Sequence, residues 1–575
     1  MKRLLFLAFA LLMVIAPLSS VNALDLGSEG PHVLAEFMPE SVDFFLGTRI
    51  GEDFIAELDA ISLALYDKLP AELGIESYAL DDVLRQTFAE EGVDYDEFAA
   101  VLGNYAAIGL EFEGSLEDDP NFYIVVAVED QQGAADGFLQ TLSNAEDIPE
   151  PVMEGDNIVF TAPQDDGKVI ITPTHLVASN LDDFNVPIET PLIASEAFMS
   201  TLETLPADQY NIVAYVSEEI TEATVQASDE TGELAMLGVD PADAGAFAFG
   251  AVILAGDTFT IDISVGTAAP MPSSTVSADF LNALPAGTDA FIVATDLTNV
   301  YNTAVETLGT IAEIDGGEDP SAQIPMLFGM TGLDLEEDVL SWTTGSYGIF
   351  FGADYVALVN DIIENGLPTA LDLDFGIVIE ATDPARAQNT AASLGEFVAA
   401  MGGNEDGITI TNEDDLTSIV IASPDIAPLE LEFVLTATDD FLFLGTRQSY
   451  DAIISGDNLA GVEDFAKSTQ YYLPDANTIW YANADGFISS TLAPLAALGP
   501  AIENVFTTIV ADLDSTAMES ESAPPPGLLD MFGDDPTIVI TVLETFDSMF
   551  AHSTISSSVD ANGVVRVRAT MTVNP

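Results

Sequence analysis

Hydrophobic positions along the chain follow two rhythms. One has a period of two, which fits half-buried strands. The other recurs at three- and four-residue spacing, which fits helices with one apolar face. Phe54, Ile55, Leu58, Ile61, Leu65 and Leu69 share such a face and predict a helix over residues 53–69, closed by Pro70. Further helices are expected over 80–89, 94–102, 131–142, 196–205, 219–227, 298–313, 384–401, 462–470, 487–509 and 538–550. Strands are expected over 42–49, 105–112, 122–128, 158–161, 169–172, 176–179, 212–216, 247–255, 259–265, 290–294, 345–351, 375–380, 408–411, 418–422, 431–436, 441–444, 478–482, 553–559 and 564–573. Proline punctuates the pattern. In residues 280–294 a helix ends at Leu284-Pro285, a polar turn follows, and a strand begins at Ala290. Proline lacks an N–H and holds the preceding residue extended, so a helix stops there. The same grammar occurs at Met38-Pro39, Leu205-Pro206 and Leu473-Pro474.

These modules are spaced long, short, long, at roughly 167, 79 and 189 residues, which an internal duplication predicts. Other elements replay in order. Gly332 to Leu340 resembles Gly92 to Phe98, the strand at Phe375 matches that at Phe122, and the helix from Pro384 matches that from Gln131. Phe45-Leu46-Gly47-Thr48-Arg49 and Phe443-Leu444-Gly445-Thr446-Arg447 are nearly the same words at non-equivalent places, read as chance similarity. The linker Ala268-Ala269-Pro270-Met271-Pro272-Ser273-Ser274 marks the seam. The expected fold is α+β: two tandem homologous repeats, each an antiparallel sheet packed with helices on one face. The expected division is a signal peptide over 1–23, a first repeat over 24–270 and a second over 271–575.

The first residues carry the signs of export. Lys2 and Arg3 precede an apolar stretch over 4–16, and Val21-Asn22-Ala23 is a small-x-Ala cleavage site, so the mature chain is expected to begin at Leu24. The alternative is an uncleaved N-terminal anchor. No later run reaches the length of a membrane span, and no lipobox cysteine or C-terminal anchor is read. The expected location is secreted or extracytoplasmic, although cysteine is absent and no disulfide can form.

Charge changes the picture most. There are 97 acidic and 11 basic residues, a formal net charge of −86, which becomes −88 once Lys2 and Arg3 leave with the leader. Such a surface repels nucleic acid and anionic membranes. High salt, divalent cations or low pH would each make it tolerable, and the scarcity of lysine favours a saline or cation-rich exterior.

Candidate chemistry is thin. Histidine occurs only at His32, His175 and His552, scattered along the chain, and no Gly-x-Ser-x-Gly elbow is present. Zinc-site, P-loop and dinucleotide motifs are missing. Only Trp342 and Trp480 could serve as large stacking platforms, and both are expected in the core. Carboxylates are too many for any pair to single out a glycosidase. Oxygen-rich loops suit weak surface Ca2+, with candidates at Glu117-Asp118-Asp119, Asp165-Asp166, Glu336-Glu337-Asp338, Glu413-Asp414-Asp415 and Asp534-Asp535. No residue is assigned a catalytic or cofactor-binding role, and no metal ligand set is fixed.

Glu380-Ala381-Thr382-Asp383-Pro384-Ala385-Arg386-Ala387 after a strand, together with the Leu-Pro strand modules, resembles an uncharacterised bacterial family of exported proteins, a domain of unknown function. Thr382-Asp383-Pro384 makes physical sense as a capped helix start, although Glu129-Asp130-Gln131, its counterpart in the first half, lacks the proline. The resemblance implies no activity. The expectation is a non-catalytic binding or surface/envelope component with a protein, envelope or divalent-cation partner. The alternatives are a secreted carboxylate-dependent hydrolase and a carrier of apolar molecules.

Overall fold

The computed structural model describes residues 30–66, 68, 80–90, 95–112, 120–141, 150–161, 167–207, 210–228, 244–254, 258–267, 274–302, 305, 328–353, 373–401, 408–413, 416–422, 430–484, 549–560 and 562–574. The expected signal peptide, the helix over 487–509, most of those over 298–313 and 538–550, and most of the 268–274 linker lie outside the described residues. The chain divides into two compact units. The first comprises residues up to Met271 together with Val559–Thr570, and the second comprises Pro272–Ser558 with Met571–Asn574. The expected second half, 271–575, therefore yields Val559–Thr570 to the first unit.

The first unit runs β1 (Phe44–Arg49), α1 (Glu52–Tyr66), α2 (Leu80–Glu90), α3 (Tyr95–Ala99), β2 (Leu102–Glu111), β3 (Asn121–Val128), α4 (Gln131–Thr141), β4 (Val152–Glu154), β5 (Asn157–Thr161), β6 (Lys168–Ile171), β7 (His175–Ser179), α5 (Glu196–Leu202), β8 (Ile212–Val216), α6 (Glu218–Ser228), β9 (Ala244–Leu254) and β10 (Thr258–Thr267). Antiparallel pairing places them in the order β4-β5-β6-β7-β3-β2-β1-β8-β9-β10.

One face of this sheet packs Phe45, Tyr123, Val125 and Val213 against Phe198 and Leu202 of α5 and against Leu34 and Ala35. The opposite face packs Ile108, Ile124 and Ala178 against Ala134 and Phe138 of α4. Near it, Phe54, Ile55 and Leu58 of α1 cover Ala106. Helices thus cover both faces, which corrects the expectation of one. The strands show why. All four residues of β6 are buried, Ile170 toward one core and Val169 and Ile171 toward the other. A strand buried on both sides reads as a continuous apolar run.

Strand β10 inverts the usual alternation. Thr258, Thr260, Asp262 and Ser264 are buried, while Ile261 on the other face is 41% exposed. Period-two patterning says which residues share a face, and here the polar set is the buried one.

The second unit runs α7 (Ala278–Ala283), β11 (Ala290–Thr295), β12 (Ser346–Ala353), β13 (Leu373–Glu380), α8 (Pro384–Met401), β14 (Ile408–Glu413), β15 (Leu416–Ala422), β16 (Glu430–Ala437), β17 (Phe441–Thr446), α9 (Arg447–Ser455), α10 (Glu463–Ser468), β18 (Thr478–Asn483) and β19 (Phe550–Val559). The Ser277 hydroxyl caps α7 by accepting from the Phe280 N–H at 3.3 Å. Antiparallel pairing gives β14-β15-β16-β17-β13-β12-β11-β18-β19. The last strand, β20 (Val564–Val573), pairs with β10, and its residues through Thr570 belong to the first unit.

Local chemistry coincides between the units. The Leu192 N–H donates to the Met38 carbonyl at 2.8 Å, and the Leu459 N–H donates to the Leu284 carbonyl at 2.8 Å. Beside these bonds, Pro39 bridges Pro191 and Pro285 bridges Asn458. Asp43 accepts from the Phe112 N–H at 2.9 Å, and Asp289 accepts from the Ala353 N–H at 2.9 Å. Thr172 and Thr438 close identical turns before β7 and β17 with their hydroxyls.

Candidate functional site

The end of β1 builds the larger described cavity. The Ile50 N–H donates to the Asn104 carbonyl at 2.7 Å, the chain turns at Gly51, and α1 begins. Asp53, in the first turn, accepts from the Phe54 N–H at 2.9 Å and pairs with Arg49. The guanidinium of Arg49 lies 5.9 Å from the Phe54 ring centre. A Cβ on Gly51 would stand 2.6 Å from Asn104 Oδ1 and 2.8 Å from Asp53 Oδ1, so both of these exposed side chains sit against the glycine. The resulting open cavity of about 420 Å3 is lined by Asp53, Tyr95, Asn104 and Glu129 among apolar and backbone surfaces.

Tyr95 and Ile55 also wall a second cavity of about 290 Å3, with Asp59, Asp81, Arg85 and Asp96. Arg85 donates to Asp81 at 2.6 Å and to Asp96 at 2.5 Å, and its guanidinium lies 5.2 Å from the centre of the Tyr95 ring. Hydrogen bonds to Asp81 and Asp96 raise the Arg85 pKa above its ordinary value. The carboxylates here are organised around a cation supplied by the chain itself. Replacing Gly51 with alanine is expected to displace the exposed Asn104 and Asp53 side chains at a cost below about 1 kcal/mol. Thermal unfolding checks this, with a larger loss of stability contradicting it.

No histidine lines either cavity. His32 and His552 are buried, and the His175 ring packs tilted by 39° against the Phe37 ring, their centres 4.2 Å apart. Burial lowers the His175 pKa. Trp342 is a core residue, 1% exposed, whose Nε1–H donates to the Asp338 carbonyl at 2.7 Å. Trp480 departs from expectation. It is half-buried, and its cross-strand neighbours Ile292 and Ile555 are themselves exposed.

Glu336-Glu337-Asp338 forms part of a capped helical turn. Asp334 accepts from the Glu337 N–H at 2.9 Å, Asp338 accepts from the Asp334 N–H at 2.8 Å, and Arg386 donates to the Glu337 carbonyl. Glu117-Asp118-Asp119, Asp165-Asp166, Asp414-Asp415 and Asp534-Asp535 lie outside the described residues. Among the described residues no three His, Asp or Glu side chains are placed to hold one metal ion.

Sequence reasoning missed a buried cluster in the first unit. Arg568 of β20 grips Asp262 of β10 with two hydrogen bonds, each 2.8 Å. Tyr210 donates its hydroxyl to the same carboxylate at 2.6 Å and accepts from the Ala207 N–H at 2.7 Å. Burial and then the Asp262 charge hold the Tyr210 proton on far more firmly than in water. Burial opposes the Arg568 charge, but the hydrogen bonds and charge of Asp262 outweigh it, and its pKa is raised. The available clue was Val565-Arg566-Val567-Arg568, which places two arginines in one strand of a chain with 11 basic residues.

Residues 78–509 match the family described as Protein of unknown function (DUF3352). The chain belongs to this family. No curated protein matches it, and no solved structure does. In this DUF3352 protein the matched span includes Arg85, Tyr95, Asp96, Asn104 and Glu129 of the cavities, whereas Gly51 and Asp53 precede it and β20 follows it. No helix among the described residues of the DUF3352 chain is long and apolar enough to cross a membrane.

Proposed function

We propose that this protein is an exported, non-catalytic binding or surface component, built from two copies of one ancestral α+β unit and adapted to a saline or cation-rich exterior. The observation that carries the binding role is the pair of open cavities around Tyr95, whose carboxylates Asp53, Asp81 and Asp96 hold arginines. With those carboxylates already neutralised in cis, the arrangement suits hydrogen bonding to a polyhydroxylated group on a partner rather than capture of a cation. Two ancestral copies would account for the matching strand order and for the recurring proline bridges, aspartate caps and threonine turns. The leader over residues 1–23 and the excess of acid support export into a cation-rich setting.

Salt tests the setting. Self-repulsion is screened as the Debye length falls to about 3 Å in molar salt, so the melting temperature should climb by several degrees between dilute buffer and 1 M NaCl. Calcium should act at lower concentration, and calorimetry would separate built sites with a discrete stoichiometry from diffuse neutralisation. A melting temperature flat across both titrations contradicts the saline reading. For the hydrolase alternative, Asp53 and Glu129, which line one cavity, are the pair to test. That alternative requires glycoside hydrolysis that Asp53→Asn and Glu129→Gln each abolish.

A further inference from the structure

We infer that β10 and the end of α5 form a receptor for an extended strand bearing arginines two residues apart, which the chain fills in cis with residues 564–570. Asp262 is 0% exposed and collects three hydrogen bonds, two of them from Arg568. Removing the guanidinium would leave a carboxylate buried against a lone phenol, an arrangement folded proteins avoid. The second arginine has its own acceptor. Arg566 Nε donates to the Thr204 carbonyl at 2.9 Å, and its Nη2 pairs with Asp560 at 3.0 Å, which fixes where the strand begins.

Side chains at i and i+2 emerge on one face of a strand. A carbonyl just beyond α5 and a carboxylate on β10 therefore read two arginines in register. Backbone pairing between β10 and β20 adds the sequence-independent part of the grip. The slot is also polar beyond its two anchors. The Thr260 and Ser264 hydroxyls flank Asp262, are each 1% exposed and have no hydrogen-bond partner. A purely apolar strand would strip Asp262 of its guanidinium and the Thr204 carbonyl of its donor, while the two hydroxyls leave room for a more polar strand than the native one. This receptor is independent of the Tyr95 cavities and rests on none of the reading above.

The test keeps the full chain. A protease site replaces Asn562-Gly563 in the turn before β20, and the folded protein is cut there. The freed strand should remain bound through size-exclusion chromatography. A labelled peptide of residues 564–575 should then exchange into the slot. The same peptide carrying Arg568→Ala should compete at least 100-fold more weakly, and Arg566→Ala about tenfold more weakly. Equal competition by the Arg568→Ala peptide overturns the proposal. So does loss of the strand while β10 keeps its amide-exchange protection, or elution of the uncut chain as a strand-exchanged dimer. An uncut Arg568→Lys variant gives a readout without the cut, since lysine offers a point charge where the fork made two bonds. Amide exchange along β10 should quicken at least tenfold in it, and unchanged exchange overturns the proposal.

Discussion

Arg568→Ala is expected to destabilise the first unit by about 3–5 kcal/mol, the usual consequence of stripping the partner from a buried charge. Three features place it at the upper end. The carboxylate it abandons is 0% exposed. The lost interaction is bidentate, two bonds of 2.8 Å. The remaining donor, Tyr210, is neutral and already shares its oxygen with the Ala207 N–H. The loss should be mostly relieved in the double variant Asp262→Asn/Arg568→Gln, where no charge is buried and an amide pair can still hydrogen-bond. Denaturant unfolding followed by amide exchange of β1, β8 and β10 measures both. If the single and double variants unfold alike, the pair is not the source of the stability.

That pair also marks the limit of what the chain discloses when read along its length. Its partners are 306 residues apart, and nothing local in the β10 pattern announces that its polar face is the buried one. Alternation specifies a face and leaves the side to the rest of the fold. The cavities are hidden for the same reason: Gly51, Tyr95, Asn104 and Glu129 meet only after β1, β2 and β3 have paired. By contrast the strands themselves were legible, because Val, Ile and Phe runs bounded by Pro, Asp and Gly carry their own evidence. The proline stops at Pro39 and Pro285 were legible too, since the proline ring imposes its restriction whatever packs around it. Helix α9 was missed although it had a signature. Thr446 stands at its N-cap, Gly456 takes the left-handed conformation just past its end at φ 77°, and Tyr450 and Ile453 share one face against the core. It was obscured by the strand word Phe443-Leu444-Gly445, which runs directly into it.

Phe198→Ala and Phe465→Ala are each expected to cost about 3–5 kcal/mol, and to do so in different units. Phe198 is 0% exposed and sits edge-on between Phe45 at 5.3 Å and Tyr215 at 5.1 Å. Phe465 is 1% exposed and sits edge-on between Phe291 at 6.0 Å and Tyr481 at 5.6 Å. In both units the middle ring comes from a short helix and the outer two from the paired central strands, β1 with β8 and β11 with β18. Edge-to-face contacts add to the area each ring buries, so truncation removes packing on two sides and leaves a void that rigid strands cannot close. Amide exchange should quicken by about 10²–10⁴-fold in β1 and β8 for Phe198→Ala, with β11 and β18 unchanged, and Phe465→Ala should give the reverse. The double variant should show additive losses, because the two trios share no partner. The proposed common descent of the units makes a sharper demand: the two single losses should agree within about 1 kcal/mol, since the same constellation supports the corresponding pair of strands. Losses that differ severalfold would mean that the matching aromatics were reached separately and that each unit relies on its own means of holding its centre.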